Sequence, residues 1–166
     1  MTSRPIRLFG DPILRSPTDP VDLGHPSTRA LVEDLLDTVR EPGRAGVAAN
    51  QIGVGLRAFS YNVNGEVGYV LNPVLVSVDG EPETMDEGCL SVPGMSFPRL
   101  RYPQATVRGV DLAGVEVVLS GEGLMAQALQ HECDHLDGHL YIEGLEPEIK
   151  RDAMRAIRES DWFLNR

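Results

Sequence analysis

Turn-forming pairs at Asn64-Gly65, Asp79-Gly80 and Ala113-Gly114 cut the middle of this 166-residue chain into short segments. That punctuation constrains the fold more than any other feature, because no long helix survives it. Between the turns lie β-prone runs at residues 56–63, 67–71, 74–78, 105–110 and 115–119, which predict hairpins and an antiparallel or mixed sheet. Helical spacing appears on either side. Ser27 is placed to cap a helix over 28–40, in which Leu31, Val32, Leu35, Leu36 and Val39 recur and which Pro42-Gly43 ends. A second helix is expected over 124–136, stopped by Asp137-Gly138, and a third begins near Pro147. Five of the twelve prolines fall within the first 26 residues, so that stretch reads as an extended arm laid over the core. The order helix, strands, helix, helix is that of an α+β fold: antiparallel or mixed sheets packed around a central helix, with a C-terminal helix. The length suits a single domain over residues 1–166.

A formal charge of −10 argues against general binding to nucleic acid, which depends on a net basic surface. Two cysteines are too few for a disulfide framework, and no apolar run approaches the ~20 residues of a membrane span. Arg4, Pro5, Arg7 and Gly10 interrupt the N-terminus where a secretory signal would need an apolar core. The expected location is the cytoplasm, with free thiols.

The second helix carries His131-Glu132-Cys133-Asp134-His135, an H-E-x-x-H pattern. At 3.6 residues per turn His131 and His135 stack on one face, where both imidazoles can bind one metal ion. Glu132 lies about 100° round, placed to reach a water at that ion as general base. A hydrolytic metal site needs a third protein donor. His25, His139, Cys133 and Cys89 are available; Cys89, in Glu87-Gly88-Cys89-Leu90-Ser91, is the natural candidate, on a loop able to turn a thiolate inward. Cys133 lies about 200° from His131 and reads as a packing residue on the back of the helix.

Three motifs, in order, resemble those of the peptide deformylases: Gly46-Val47-Ala48-Ala49-Asn50-Gln51, Glu87-Gly88-Cys89-Leu90-Ser91 and His131-Glu132-Cys133-Asp134-His135. The resemblance covers almost the whole chain. It implies a divalent metal held by Cys89, His131 and His135, with Fe²⁺ as the common native ion and Zn²⁺, Ni²⁺ or Co²⁺ as substitutes. Glu132 would be base and then proton donor, while the Gln51 amide and the Leu90 N–H would hold the oxyanion. Gly46 would offer backbone hydrogen bonds to an extended peptide, and Arg101 would pair with an acidic group such as Glu87 behind the metal. Leu124, on the same helix as His131, is named as a wall of the pocket for the methionine side chain. Arg44 stands where the family has a glycine, and Val47 where it has leucine. The first departure puts a cation near the peptide groove and raises the question of a positive φ there.

The implied activity is removal of the formyl group from N-terminal formylmethionine of nascent polypeptides by a monomeric enzyme. Two other readings make different demands. An H-E-x-x-H endopeptidase would take a third ligand downstream, with Glu143 and Glu146 on offer. A non-catalytic metal-stabilised binding module would close the site with a fourth protein ligand. Residues 150–166 hold five basic and three acidic side chains, with Arg151, Arg155 and Arg158 near one helix face and Arg166 at the end. For an enzyme of nascent chains, that face suggests docking to the ribosome.

Overall fold

Alternation along the strands decides the architecture of the computed structural model, which describes residues 3–165. Five antiparallel strands form one sheet: β1 (Gly46–Ala48), β2 (Ala58–Val63), β3 (Glu66–Asp79), β6 (Gln104–Val110) and β7 (Glu116–Glu122), in the order β1-β2-β3-β6-β7. A separate hairpin is made by β4 (Glu83–Cys89) and β5 (Val92–Arg101). The helices are α1 (Ser27–Val39), α2 (Gly123–Leu136), α3 (Pro147–Glu159) and the short α4 (Asp161–Leu164).

Successive side chains on a strand point to opposite faces, so neighbouring residues serve different cores. Val47, Ala58 and Leu71 pack with Leu31, Val32, Leu35 and Val39 of α1. Ala48, Phe59, Val70, Ala105 and Val107 pack with Ala126, Leu129, Cys133 and Leu136 of α2. The sheet is thus held between two helices. Each large apolar side chain buried there contributes about 1.5–3 kcal/mol of transfer free energy. A third cluster joins Val92 of β5 to Leu140, Tyr141, Ile142 and Leu145, and to Ala153 and Ile157 of α3. It fixes the hairpin and the C-terminal helix to the segment that follows α2.

The structure departs from the sequence reading in four places. The runs 67–71 and 74–78 are one strand, β3, whose register shifts between Leu71 and Val74. Pro73 lacks a donor and sits at that irregularity, beside Asn72 with φ 51°. Asn72 also tethers the N-terminal arm: its Oδ1 accepts from the Val21 N–H at 2.7 Å and its Nδ2 donates to Val21 O at 3.1 Å. The segment around Cys89 is the end of a strand followed by a two-residue turn, Leu90-Ser91, and not a loop. Gly, Pro and charged residues along β4 and β5 hid their alternation. Ser27 is inside α1; Pro26 holds the cap position, and the Ser27 hydroxyl meets His25 Nδ1 at 2.7 Å. Finally, the three-residue β1 is too short to signal itself in sequence, yet it places Gly46. The arm does run over the core: the Arg7 N–H donates to Gln51 O at 2.7 Å and the Phe9 N–H to Ser91 O at 2.8 Å.

Candidate metal centre

Ala126, Leu129, Cys133 and Leu136 anchor one side of α2 to the sheet, so His131 and His135 turn toward the hairpin while Glu132 faces Gly46 on the edge strand β1. All three polar residues are nevertheless buried, at 9, 3 and 0 % exposure. One helical turn brings the two Nε2 atoms to 3.0 Å. The end of β4 delivers Cys89, whose Sγ lies 3.3 Å from His135 Nε2 and accepts from the Ser91 N–H at 3.4 Å. The three donor atoms lie within 4.8 Å of one another. Donors bonded tetrahedrally to one zinc-sized cation, at about 2.0–2.3 Å each, sit roughly 3.3–3.6 Å apart, so the cluster has the dimensions and the N/S chemistry of a metal site. Among the described residues it has three donors, and Glu132 Oε1 beside it is buried without a hydrogen-bond partner. That leaves room for a reacting group and a carboxylate to serve it, as a closed four-ligand structural site would not.

Charge around the cluster is organised from the hairpin. Glu87, on β4, accepts a fork of hydrogen bonds from Arg101 of β5, Nε to Oε1 at 2.8 Å and Nη2 to Oε2 at 2.6 Å. Glu87 Oε2 also lies 2.7 Å from His131 Nδ1. Burial opposes the Glu87 charge, but hydrogen bonds from Arg101 and His131 overcome it and bring the carboxyl down to about 2. Burial also disfavours a charged His131, yet the contacts with Cys89 and Glu87 outweigh it and hold that imidazole well above its usual range. The pocket therefore attracts positive charge, which is what a cation needs. His135 is shifted the other way, by burial and then by His131. Burial pushes Glu132 up to about 7, the range in which a carboxylate both takes and returns a proton near neutrality.

A cleft of about 320 Å³ opens onto these groups and is lined by Gly43–Gly46, Gln51, Glu87–Leu90, Leu124, Gln127, Ala128, His131 and Glu132. Gln51 is 1 % exposed; its Oε1 accepts from the Ala48 N–H at 3.0 Å, and its Nε2 donates to Ser91 Oγ at 3.1 Å and more weakly to Cys89 Sγ at 3.7 Å. Leu90 is half-buried in the turn. Leu124, at 43 % exposure, is a wall of the cleft rather than core. Gly46 belongs to the edge strand β1, and a Cβ there would lie 2.6 Å from Glu132 Oε2, so only glycine permits this approach. The positive φ before β1 falls on Gly43, at 83°, and not on Arg44. The Arg44 guanidinium is held by Thr38 O at 2.9 Å and Glu41 Oε2 at 2.9 Å, which ties the approach to β1 to the end of α1.

The other donors stay apart. His25 bonds Ser27, and His139 meets Glu143 Oε2 at 2.9 Å on the surface. Glu146 is exposed at the cap of α3, so neither downstream glutamate joins the cluster. Cys133 is packed in the α2 core, its thiol pushed up to about 12 by burial. Sequence reasoning missed three contributors. Ser91 bonds both Gln51 and Cys89; Asn50 is fully buried and donates to His135 O at 2.5 Å; Asp134 accepts from Arg101 Nη1 at 2.7 Å. All three lie inside the quoted motifs, which was the available signal.

The family model described as polypeptide deformylase matches residues 3–151. A peptide deformylase of Acidothermus cellulolyticus is 49% identical over 98% of this chain and 89% of its own. One from Parafrankia sp. is 47% identical over the same shares. Among solved structures, the chain resembles a peptide deformylase from Legionella pneumophila (TM-score 0.86, 37% identity, covering 93% of this chain and 92% of that one). It resembles that of Thermus thermophilus similarly (TM-score 0.84, 39% identity, 93% of each chain).

Proposed function

The chain belongs to the peptide deformylase family, metal-dependent amide hydrolases acting on formylmethionyl peptides, and from that premise we propose which of its residues carry the reaction. Cys89, His131 and His135 would hold the divalent cation, which when bound supplies the Lewis acidity that makes water a nucleophile at neutral pH. A thiolate beside two imidazoles suits Fe²⁺, the native ion we favour, as well as Zn²⁺, Ni²⁺ or Co²⁺.

Glu132 is the base. It takes a proton from the attacking water and delivers it to the leaving α-amine, so that the water oxygen ends in formate and the proton on the new N-terminus. The formyl oxygen gains negative charge in between. The second Gln51 Nε2 hydrogen, which meets only Cys89 Sγ across 3.7 Å, would be the donor to it, and the Leu90 N–H the other. Each such donor is typically worth about 3 kcal/mol in the transition state. Ser91 holds the other Gln51 hydrogen and keeps the amide in place. The open edge of β1 at Gly46 suits an extended peptide, whose main chain would continue the sheet. Leu124 would meet the methionine side chain. The observation that carries this reading is the close approach of Cys89, His131 and His135, with Cys89, His131 and buried Glu132 lining the cleft.

The test is formate release from formyl-Met-Ala-Ser by anaerobically purified protein, with metal analysis of wild type and Glu132→Ala. Stoichiometric metal in both, with activity lost by two or more orders of magnitude in the variant, is expected. Metal-replete wild type that releases no formate would sink the reading. We further read the enzyme as a cytoplasmic monomer that meets the ribosome through α3, where Lys150, Arg151, Arg155 and Arg158 are all exposed. Arg166 lies outside the described residues. No helix of the described residues is long and apolar enough to cross a membrane.

A further inference from the structure

We infer that Asp134 is a positioning residue for the metal centre, and that it acts on His131 rather than on its sequence neighbour His135. Consecutive helix residues point about 100° apart, so the Asp134 carboxylate leaves the histidine cluster and meets β5 instead. There Arg101 Nη1 donates to its Oδ2 at 2.7 Å. The same guanidinium spans both oxygens of Glu87, and Glu87 Oε2 in turn lies 2.7 Å from His131 Nδ1. The path leaves α2 at residue 134, crosses both strands of the hairpin and returns to α2 at residue 131. With the helix backbone it is a closed ring.

Two features make Asp134 more than a bystander in that ring. All three Arg101 nitrogens are engaged, two on Glu87 and one on Asp134, so the guanidinium plane is fixed and with it the plane of the Glu87 carboxylate. Arg99 also converges on Asp134 Oδ2, its Nη2 at 3.7 Å, while its Nη1 donates to Gly144 O at 3.2 Å. Two arginines therefore share two carboxylates in a space where the Arg101 and Glu87 side chains are 5 and 2 % exposed. Neutralising Asp134 takes the acceptor from Arg101 Nη1 and leaves two close cations with one anion, so the guanidinium that grips Glu87 is no longer pinned on its third side. Glu87 then loses its orientation, and the His131 ring loses the partner that fixes its Nδ1 and turns its Nε2 toward the metal.

The inference rests on His131 being a metal ligand, and the experiment separates the two ideas. Zinc-loaded wild type, D134N, D134E and D137N are challenged with a chelator, and the zinc dissociation rate is measured beside the ¹H–¹⁵N resonance of His131 Nδ1–H. D134N is expected to release zinc about 10- to 100-fold faster and to shift or broaden that resonance, and D134E to recover most of both. D137N removes a carboxylate from the C-cap of the same helix, where Asp137 pairs with Arg57 at the surface, and should match wild type. In E87Q the ring is already open, so adding D134N should accelerate release little further. A folded D134N with the wild-type rate and resonance, or full additivity with E87Q, overturns the inference. Should D134N not fold, the double variant R99Q/D134N decides, because it removes the excess cation together with the anion. It is expected to fold and, with the Asp134 link to Arg101 still missing, to release zinc about 10-fold or more faster than R99Q alone; a rate equal to that of R99Q, or failure to fold, overturns the inference. Wild-type zinc retention in H131A would instead remove the ligand assignment itself.

Discussion

Helices α2 and α3 are nearly equal in length, 14 and 13 residues, yet they are built on opposite principles. In α3 only Ala153 and Ile157 are buried, and the charged residues face water, as expected of a helix lying on a surface. In α2 ten residues are buried, and five of them are polar: Gln127, Gln130, His131, Glu132 and His135. Burying polar groups costs free energy unless each finds a partner, so such a helix persists only where a network or a ligand satisfies it. Gln127 donates to Asp86 O and Gln130 to Tyr102 O, while Glu132 Oε1 and His135 Nδ1 are left without hydrogen-bond partners among the described residues. The polar atoms that packing does not explain are those at the proposed chemistry. The two helices should accordingly answer very differently to substitution.

The sharpest difference is expected beside α2 and not on it. Gly46→Ala puts a methyl group 2.6 Å from Glu132 Oε2, and the flexible end of Glu132 is what can move. A displacement of about 1 Å at a reacting group can cost on the order of 100-fold in rate. We expect kcat on formyl-Met-Ala-Ser to fall about 100-fold with metal content unchanged. A variant with wild-type kcat would show that Glu132 tolerates intrusion as an α3 side chain does.

Stability should report the same contrast through pH. Burial raises the Glu87 carboxyl, but hydrogen bonds from Arg101 and His131 more than offset it and set Glu87 near 2, against 4.5 for an ordinary glutamate. The depressed value means that the folded state binds this proton less readily than the unfolded chain. Its contribution is full above pH 4.5 and is lost as pH falls through about 2, on the order of 3 kcal/mol in all. Urea unfolding of metal-free protein at pH 5 and pH 3 should therefore lose less stability in Glu87→Gln than in wild type. Equal losses would mean that the Arg101 fork adds nothing to the fold.

How much of this was legible depended on whether the signal was local. Helical spacing marked α1 and α2 within a residue, Pro147 marked the start of α3, and the H-E-x-x-H spacing put His131 and His135 together because one helix turn is enough to do so. The donor chemistry of its thiol singles out Cys89, but its approach depends on the β4–β5 hairpin, whose Gly88, Pro93, Gly94 and Pro98 mask the period of two. β1 was invisible because three residues carry no periodicity; only its pairing with β2 reveals it. The Asn72-Pro73 irregularity read as a break, although β3 absorbs it by tying Asn72 to the arm at Val21. Ser91, Asn50 and Asp134 matter through partners 33 to 85 positions away, and no local pattern encodes those distances.

The two cysteines offer a smaller test that needs no assay of activity. Cys133, buried at 3 % exposure and pushed up to about 12, has only ~10⁻⁴ of its thiol ionised at pH 8. Iodoacetamide should leave it untouched in the folded protein. Cys89 should be alkylated after chelation and spared when zinc is present, which mass spectrometry of tryptic peptides would read directly. Equal labelling of Cys89 with and without zinc would argue against ligation.

The least effect is expected on α3. Arg151, Arg155 and Arg158 are exposed, and changing all three to Gln removes no buried contact, so stability should move by no more than about 0.5 kcal/mol. Formate release from a free tripeptide should stay within about twofold, because these side chains are absent from the lining of the cleft. What should change is association with the ribosome, since a basic face on a chain of net charge −10 is a local attraction against a repulsive background. Co-sedimentation at low salt is expected to weaken in the triple variant, and raising the salt should weaken that of wild type in the same way. Unchanged co-sedimentation would assign docking to another face. It would leave α3 as a solvated helix, held to the hairpin by Ala153 and Ile157, with no part in recognition.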